Sequence, residues 1–123
     1  MISNASPIIV DINDTNDKVD RVMDSHKPTC CALVVDSNQS CFGVISYSDI
    51  VRFHEMGKNP KVGRAWELCT HKVIEVSPDT SVSETAKLML ENRIHHIVIT
   101  ENKLIKGIVS SIDFVEDYLK QNA

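Results

Sequence analysis

Gly-Val-Ile-Ser-Tyr-Ser-Asp at Gly43–Asp49 returns as Gly-Ile-Val-Ser-Ser-Ile-Asp at Gly107–Asp113, 64 positions later. Each copy runs from a glycine through two apolar residues to Ser-x-x-Asp. That is the pattern of a strand turning directly into a helix whose first residues are capped by the serine. A turn of this kind that occurs twice sets the frame for its surroundings, and the chain reads as two copies of one unit.

The likeness extends outward from the turn. Leu33-Val34-Val35-Asp36 falls on Ile97-Val98-Ile99-Thr100 at the same offset, both β-branched runs followed by a polar turn. Each turn leads to a second apolar run, Phe42–Ile45 or Leu104–Val109, so each copy predicts a hairpin. Further upstream, Ile8–Ile12 matches Val73–Val76, again strand-like. Between the strands lies a helical stretch. In the second copy Ser81 and Glu84 form a capping box, and Val82, Ala86, Met89 and Leu90 fall on one face with Lys87 and Glu91 pointing away. In the first copy Val19, Val22 and Met23 make a weaker stripe that Pro28 closes. Aligning Val19 with Val82 places an extra loop residue and a shorter helix in the first copy. A final helix follows each Ser-x-x-Asp.

Glu55–Arg64 holds two glycines, a proline and three basic residues, and reads as a linker. The expected organisation is a first repeat over residues 7–56, a linker over 57–64 and a second repeat over 65–121. The fold class is α+β: two β-α-β-β-α repeats related by a pseudo-twofold and packed through their sheets. Neither copy covers both faces of its own sheet, so that packing is expected to create two related clefts.

Composition narrows the function. With 123 residues and 42% hydrophobic content the chain supports a core without staples, and aromatics at 5% leave that core to aliphatic residues. A net charge of −4 with no long cationic run argues against nucleic acid as the main partner and against an anionic membrane surface. No apolar stretch approaches the roughly 20 residues that span a bilayer. Met-Ile-Ser-Asn-Ala lacks the basic and apolar regions of a signal peptide, so the expected location is cytoplasmic. Cys30, Cys31, Cys41 and Cys69 follow no metal-ligand spacing and read as small hydrophobes in a reducing compartment, with a redox role as the alternative.

Strand, helix, hairpin, Gly-h-h-Ser-x-x-Asp (h apolar) and helix, twice over roughly Pro7 to Leu119, resembles a tandem CBS-domain module, the regulatory repeat of cystathionine β-synthase. The second repeat is the better match, from Val73–Val82 through Ala86 and Met89 to Gly107–Asp113. The first departs from the pattern with Lys27-Pro28-Thr29-Cys30-Cys31-Ala32 where the second has Asn92-Arg93-Ile94-His95-His96-Ile97. The family's usual lead-in methionine is Cys69 here.

The resemblance implies adenosine-containing ligands in the clefts between repeats: AMP, ADP, ATP or S-adenosylmethionine, with no cofactor required. It implies that Asp113 and Asp49 accept hydrogen bonds from ribose hydroxyls, since an ionised carboxylate makes strong charge-assisted bonds. Ser110 and Ser46, at helix starts that favour anions, would help hold a phosphate. Gly107 and Gly43 would let the strand pass close to its neighbours. Arg93 suits a phosphate through its forked donors, with His95 or His96 beside it. Thr70 and Lys72 are weaker candidates to line the same cleft, and Ile74 would read the base through its backbone. Each feature also has a purely structural reading. Ser-x-x-Asp starts many helices that bind nothing, and a helix C-terminus attracts a cation such as Arg93 without a ligand.

No nucleophile-base-acid arrangement, paired carboxylates or phosphate-cradling glycine loop is present, so no enzyme is expected. The expected function is a regulatory module that binds an adenosyl ligand and relays it to a regulated protein by a conformational shift. A homodimer through the helices is expected, with Phe53, Phe114, Val115 and Leu119 contributing. The alternative is an interaction scaffold with unoccupied clefts.

Overall fold

A computed structural model describes residues 7–25, 31–71 and 73–122 of the chain. The chain divides into two compact units, one spanning Ile8–Val73 and the other built on Ile74–Ala123. The fold is α+β, and both units follow one plan.

In the first unit the order is β1 (Ile9–Asp11), α1 (Asn16–Ser25), β2 (Cys31–Val35), β3 (Cys41–Ser46), α2 (Tyr47–Glu55) and a short α3 (Ala65–Leu68). Its sheet runs β1-β2-β3, parallel between β1 and β2 and antiparallel between β2 and β3. The second unit has β4 (Glu75–Val76), α4 (Val82–Asn92), β5 (His96–Glu101), β6 (Leu104–Ser110) and α5 (Ser111–Gln121), with the sheet β4-β5-β6 paired in the same senses. The crossover helix makes the parallel pair possible, and the hairpin makes the antiparallel one.

The register corrects the alignment of the copies. Ala32 lies opposite Ile45, and Ile97 opposite Val109, so Ala32 corresponds to Ile97, one position beyond the offset of the turns. The first hairpin is the longer: nine positions separate Val34 from its partner Gly43, and eight separate Ile99 from Gly107. On the helices, buried Val19 and Met23 correspond to buried Thr85 and Met89, not to Val82 and Ala86. From Val10 to Val19 and from Val76 to Thr85 the spacing is equal. The extra residues of the first copy therefore lie after α1 and in the hairpin, and none lies before the helix.

The face that α4 buries also differs from expectation. Leu90 is 81% exposed, while Thr85 is fully buried beside Met89. Threonine is tolerated there because its hydroxyl donates to the Ser81 carbonyl at 2.9 Å, which removes the cost of burying it. Ser81 caps the helix as its sequence indicates, accepting from Glu84 N–H at 3.1 Å.

Each sheet has a core on its helical side. Val10, Val19, Met23, Ala32, Val34, Ile45 and Ile50 pack in the first unit; Val76, Met89, Ile97, Ile99 and Val109 pack in the second, with Phe114 against them. The first core is enlarged by Ala65 and Cys69. They arrive on the segment after the linker, which pairs with β3 through two bonds, Val44 N–H to Thr70 O at 3.0 Å and Thr70 N–H to Val44 O at 2.9 Å. Gly43 permits this approach. A Cβ there would stand 2.6 Å from Thr70 O and 2.7 Å from Cys69 Sγ. At Gly107 nothing among the described residues lies within 4 Å of such a Cβ.

The linker is fastened to the start of α1. Pro60 O accepts Asp17 N–H at 3.0 Å, and Gly63 O accepts Asn16 N–H at 2.9 Å. These are N–H groups of a first helical turn, which have no partner inside the helix. Asp14 O takes Ala65 N–H at 2.8 Å, and Asn13 O accepts from Arg64 Nη1 at 3.1 Å.

Two substitutions test this account. Gly43→Ala forces the Thr70 strand away and should destabilise by about 1–3 kcal/mol, seen as a lower urea midpoint with an unchanged slope. Lys103 occupies the second position of the tight β5–β6 turn at φ 66°, after Asn102 at 53°. A left-handed conformation favours glycine there, so Lys103→Gly should stabilise by about 1 kcal/mol and raise the melting temperature.

Candidate functional site

The two Ser-x-x-Asp turns are built alike. Ser46 ends β3 and caps α2 with φ −110° and ψ 169°; Ser110 ends β6 and caps α5 with φ −115° and ψ 163°. In both, the aspartate stands at the third helical position and its Oδ2 accepts the serine backbone N–H at 2.8 Å. An extended strand residue thus hands its donor to the helix it starts, and the carboxylate is pinned over the helix N-terminus.

Their surroundings differ. In the first unit Asp49 is 4% exposed. Its Oδ2 also accepts the Ser46 hydroxyl at 3.0 Å, the Ser46 and Ser48 hydroxyls lie 2.8 Å apart, and Oδ1 accepts from Arg52 Nη2. Tyr47 ties this helix start to α1 by donating its hydroxyl to Met23 O at 3.2 Å.

In the second unit Asp113 is half-buried, and histidines meet the turn. Ser111 N–H donates to His95 O at 2.9 Å, and the Ser111 hydroxyl lies 3.5 Å from His95 Nδ1. His96 stands opposite Ser110 in the β5–β6 register. Ser110, Asp113, His95 and His96 are therefore gathered at one end of the sheet. Arg93 is the exposed C-cap of α4, two residues before His95, in the left-handed region at φ 52° and ψ 47°. Ile74 precedes β4, and its carbonyl accepts Val98 N–H at 3.0 Å.

Thr70 belongs to the Ile8–Val73 unit, with its backbone committed to Val44. Lys72 lies outside the described residues. Two contributors escaped the sequence reading. Ser111 gave no signal, because its link to His95 depends on the hairpin register. Arg52 did give one, since Asp49 and Arg52 stand three apart on a helix, a spacing at which opposite charges meet.

Burial pushes the Cys69 thiol up to about 11, assisted by the negative charge of Asp49, so at neutral pH it is a protonated, unreactive core side chain. Cys31 is likewise buried, and Cys30 lies outside the described residues. Among the described residues no three His, Cys, Asp or Glu side chains converge as a metal site, and no helix is long and apolar enough to cross a membrane. What each turn offers is a fixed carboxylate acceptor above a helix N-terminus that favours an anion.

Comparison with known proteins places this architecture. The chain is 34% identical over 90 residues to the mitochondrial CBS domain-containing protein CBSX3 of Arabidopsis thaliana, covering 68% of this chain and 44% of that one. It spans about half the length of the curated relatives it matches. Among solved structures, the CBS domain of a CBS domain-containing membrane protein from Sphaerobacter thermophilus superposes with a TM-score of 0.81 at 26% identity, covering 94% of this chain and 83% of that one. The CBS domain protein PAE2072 from Pyrobaculum aerophilum, solved in complex with AMP, gives 0.81 at 20% identity, covering 91% and 86%. The CBS-domain family model matches residues 2–55 and again 65–120, and with both halves matched the chain belongs to the CBS-domain family.

Proposed function

We propose that this chain is a regulatory module, not an enzyme, whose Ser-x-x-Asp turns bind an adenosine-containing ligand: AMP, ADP, ATP or S-adenosylmethionine. The observation that carries the reading is the duplicated turn itself, with Asp113 fixed by Ser110 N–H at 2.8 Å. A ribose cis-diol is a natural donor pair for an ionised carboxylate held in this way. Ser110 and the N-terminus of α5 favour a phosphate, with Arg93 and the histidines His95 and His96 as its further partners. Ile74, Thr70 and Lys72 complete the proposed set, and Ser46 with Asp49 forms the counterpart in the first repeat. The AMP complex of the Pyrobaculum relative supports an adenine nucleotide as the ligand.

Arg93 adds an independent argument. A non-glycine residue in the left-handed region costs about 1 kcal/mol relative to glycine, which is the usual choice at a helix C-terminus. A side chain kept there against that cost is consistent with a task for its guanidinium.

Relay requires something for the ligand to shift. A ligand favours whichever arrangement it binds more tightly, and a partner that contacts the moving elements reads the change. The surface proposed for self-association is α5. Of the four residues expected there, Phe53 is buried in the first unit and Phe114 packs against the second core, so neither belongs to this face; Ile112, Val115, Tyr118 and Leu119 are each more than half exposed, at spacings that line one side of a helix. A second copy of the chain is the proposed occupant, giving a homodimer, and the regulated protein would respond to that assembly.

Titration of the four ligands in a thermal-shift assay tests the binding. A concentration of 100 times Kd stabilises by about 2.7 kcal/mol, a melting shift on the order of 10 °C for a chain of this size. Asp113→Ala should abolish the shift. Arg93→Gly should weaken binding while making the unliganded protein slightly more stable. A wild-type protein that responds to none of the four overturns the reading. For self-association, light scattering on wild type should give twice the chain mass, and Val115→Glu with Leu119→Glu should give the monomer.

A further inference from the structure

The first turn of α1 finds its backbone partners in two places. Lys18 N–H donates to Thr15 Oγ1 at 3.2 Å and Val19 N–H to Thr15 O at 3.0 Å, both within the helix and its cap. Asn16 and Asp17 donate instead to Gly63 O and Pro60 O, on the segment that follows α2. That segment has a turn of its own. Val62 and Gly63 N–H both donate to Asn59 O at 3.1 Å, and Lys61 N–H donates to Asn59 Oδ1 at 3.0 Å. Gly57 joins it to α2 at φ 70°, with nothing among the described residues within 4 Å of where a Cβ would stand. Beneath the segment lies Asn16, 3% exposed, whose Oδ1 and Nδ2 are buried with no hydrogen-bond partner among the described residues. A Cβ on Gly63 would stand 2.6 Å from Asn16 Nδ2 and 3.0 Å from Phe53 Cζ, so the segment lies directly on the carboxamide and the ring.

We infer that residues 57–63 form a strap that opens as one piece, pivoting at Gly57, while the rest of the first unit stays folded, and that Asn16 sets how readily it opens. Closure removes water from two polar atoms that no described group pairs, which costs stability. It buries little apolar surface in exchange: within 57–63 only Gly63 is buried, and Val62 is 68% exposed. Few buried apolar contacts and exposed backbone bonds are the marks of a segment that opens locally. Opening gives the carboxamide to water, and water replaces the two bonds to Gly63 O and Pro60 O. The Asn59 turn and the Thr15 cap survive it, and Ala65 N–H on Asp14 O, at 2.8 Å, anchors the far end. The open form presents the Asn16 and Asp17 N–H groups and the edge of the Phe53 ring, which the closed form withholds.

Amide hydrogen exchange of the full chain, read residue by residue by NMR and corrected for intrinsic rates, tests this. In wild type the Asp17 amide, bonded to the strap, should exchange about tenfold faster than the Val19 amide, bonded within the helix. Asn16→Leu keeps the shape of the side chain and removes its polar atoms, so it should slow exchange at Asp17 about tenfold. Gly63→Ala presses a methyl onto Asn16 and Phe53 and should speed it by a similar factor. Circular dichroism melts verify that each variant folds, and the wild-type comparison stands without them. Equal rates at Asp17 and Val19 in wild type mean that the helix start opens only as a whole, and overturn the strap. Exchange at Asp17 that is unchanged or faster in Asn16→Leu means that the carboxamide is satisfied when the strap is closed, and overturns the role of Asn16.

Discussion

A strand that must become a helix within one residue leaves backbone donors with nowhere to go. The last strand N–H points away from the sheet, and the first turn of the helix has N–H groups with no carbonyl behind them. One carboxylate on the helix settles the first of these debts, and its charge suits the second. Ser46–Asp49 and Ser110–Asp113 adopt this solution with the same 2.8 Å bond and cap dihedrals within a few degrees of each other. With that junction fixed, the direction of the following helix is fixed, and with it the face that delivers Ile50 or Phe114 to the core. The same junction leaves an acidic group held rigidly beside a helix start, the feature on which the proposed ligand role is built.

The repeats diverge in what they place around that shared junction. The first surrounds its carboxylate with Ser48 and Arg52, buries it, and enlarges its core with Ala65 and Cys69. The second surrounds its own with His95, His96 and Ser111 and leaves it half-buried. Duplication supplied two equivalent frames, and side-chain substitution at a few positions made them chemically unequal. The acidic and apolar sides of α5 remain exposed, whereas α2 uses Ile50 and Phe53 inward.

Most of the fold is legible in the residue pattern because period-two apolar runs and a repeated capped turn are strong, local signals. The errors came where a neighbour overrides the local signal. Leu90 looked like a core residue by its spacing and Thr85 did not, yet the threonine hydroxyl finds the Ser81 carbonyl and goes inside. Helix equivalence slipped because Val19 and Val82 are the same residue type, while burial pairs Val19 with Thr85. The gathering of Ser110, Asp113 and the histidines followed from the hairpin and was largely readable. The contact of Arg52 with Asp49 was not drawn from the sequence, although their spacing of three on a helix carries it. The tie of Thr70 to Val44 is marked in the residue types only by Gly43, whose missing Cβ leaves room for it without naming the partner.

Lengthening the stretch from Gly57 to Arg64 would have costs its composition conceals. Glycine, proline and exposed lysines suggest a tether into which a tag or cleavage sequence could be spliced at little cost. Its carbonyls instead serve as the missing cap of α1, at Pro60 and Gly63, so added residues there would pull partners from a buried helix end. The tips of the two hairpins, at 37–40 and 102–103, carry no comparable duty and are the better places to graft a reporter onto this scaffold.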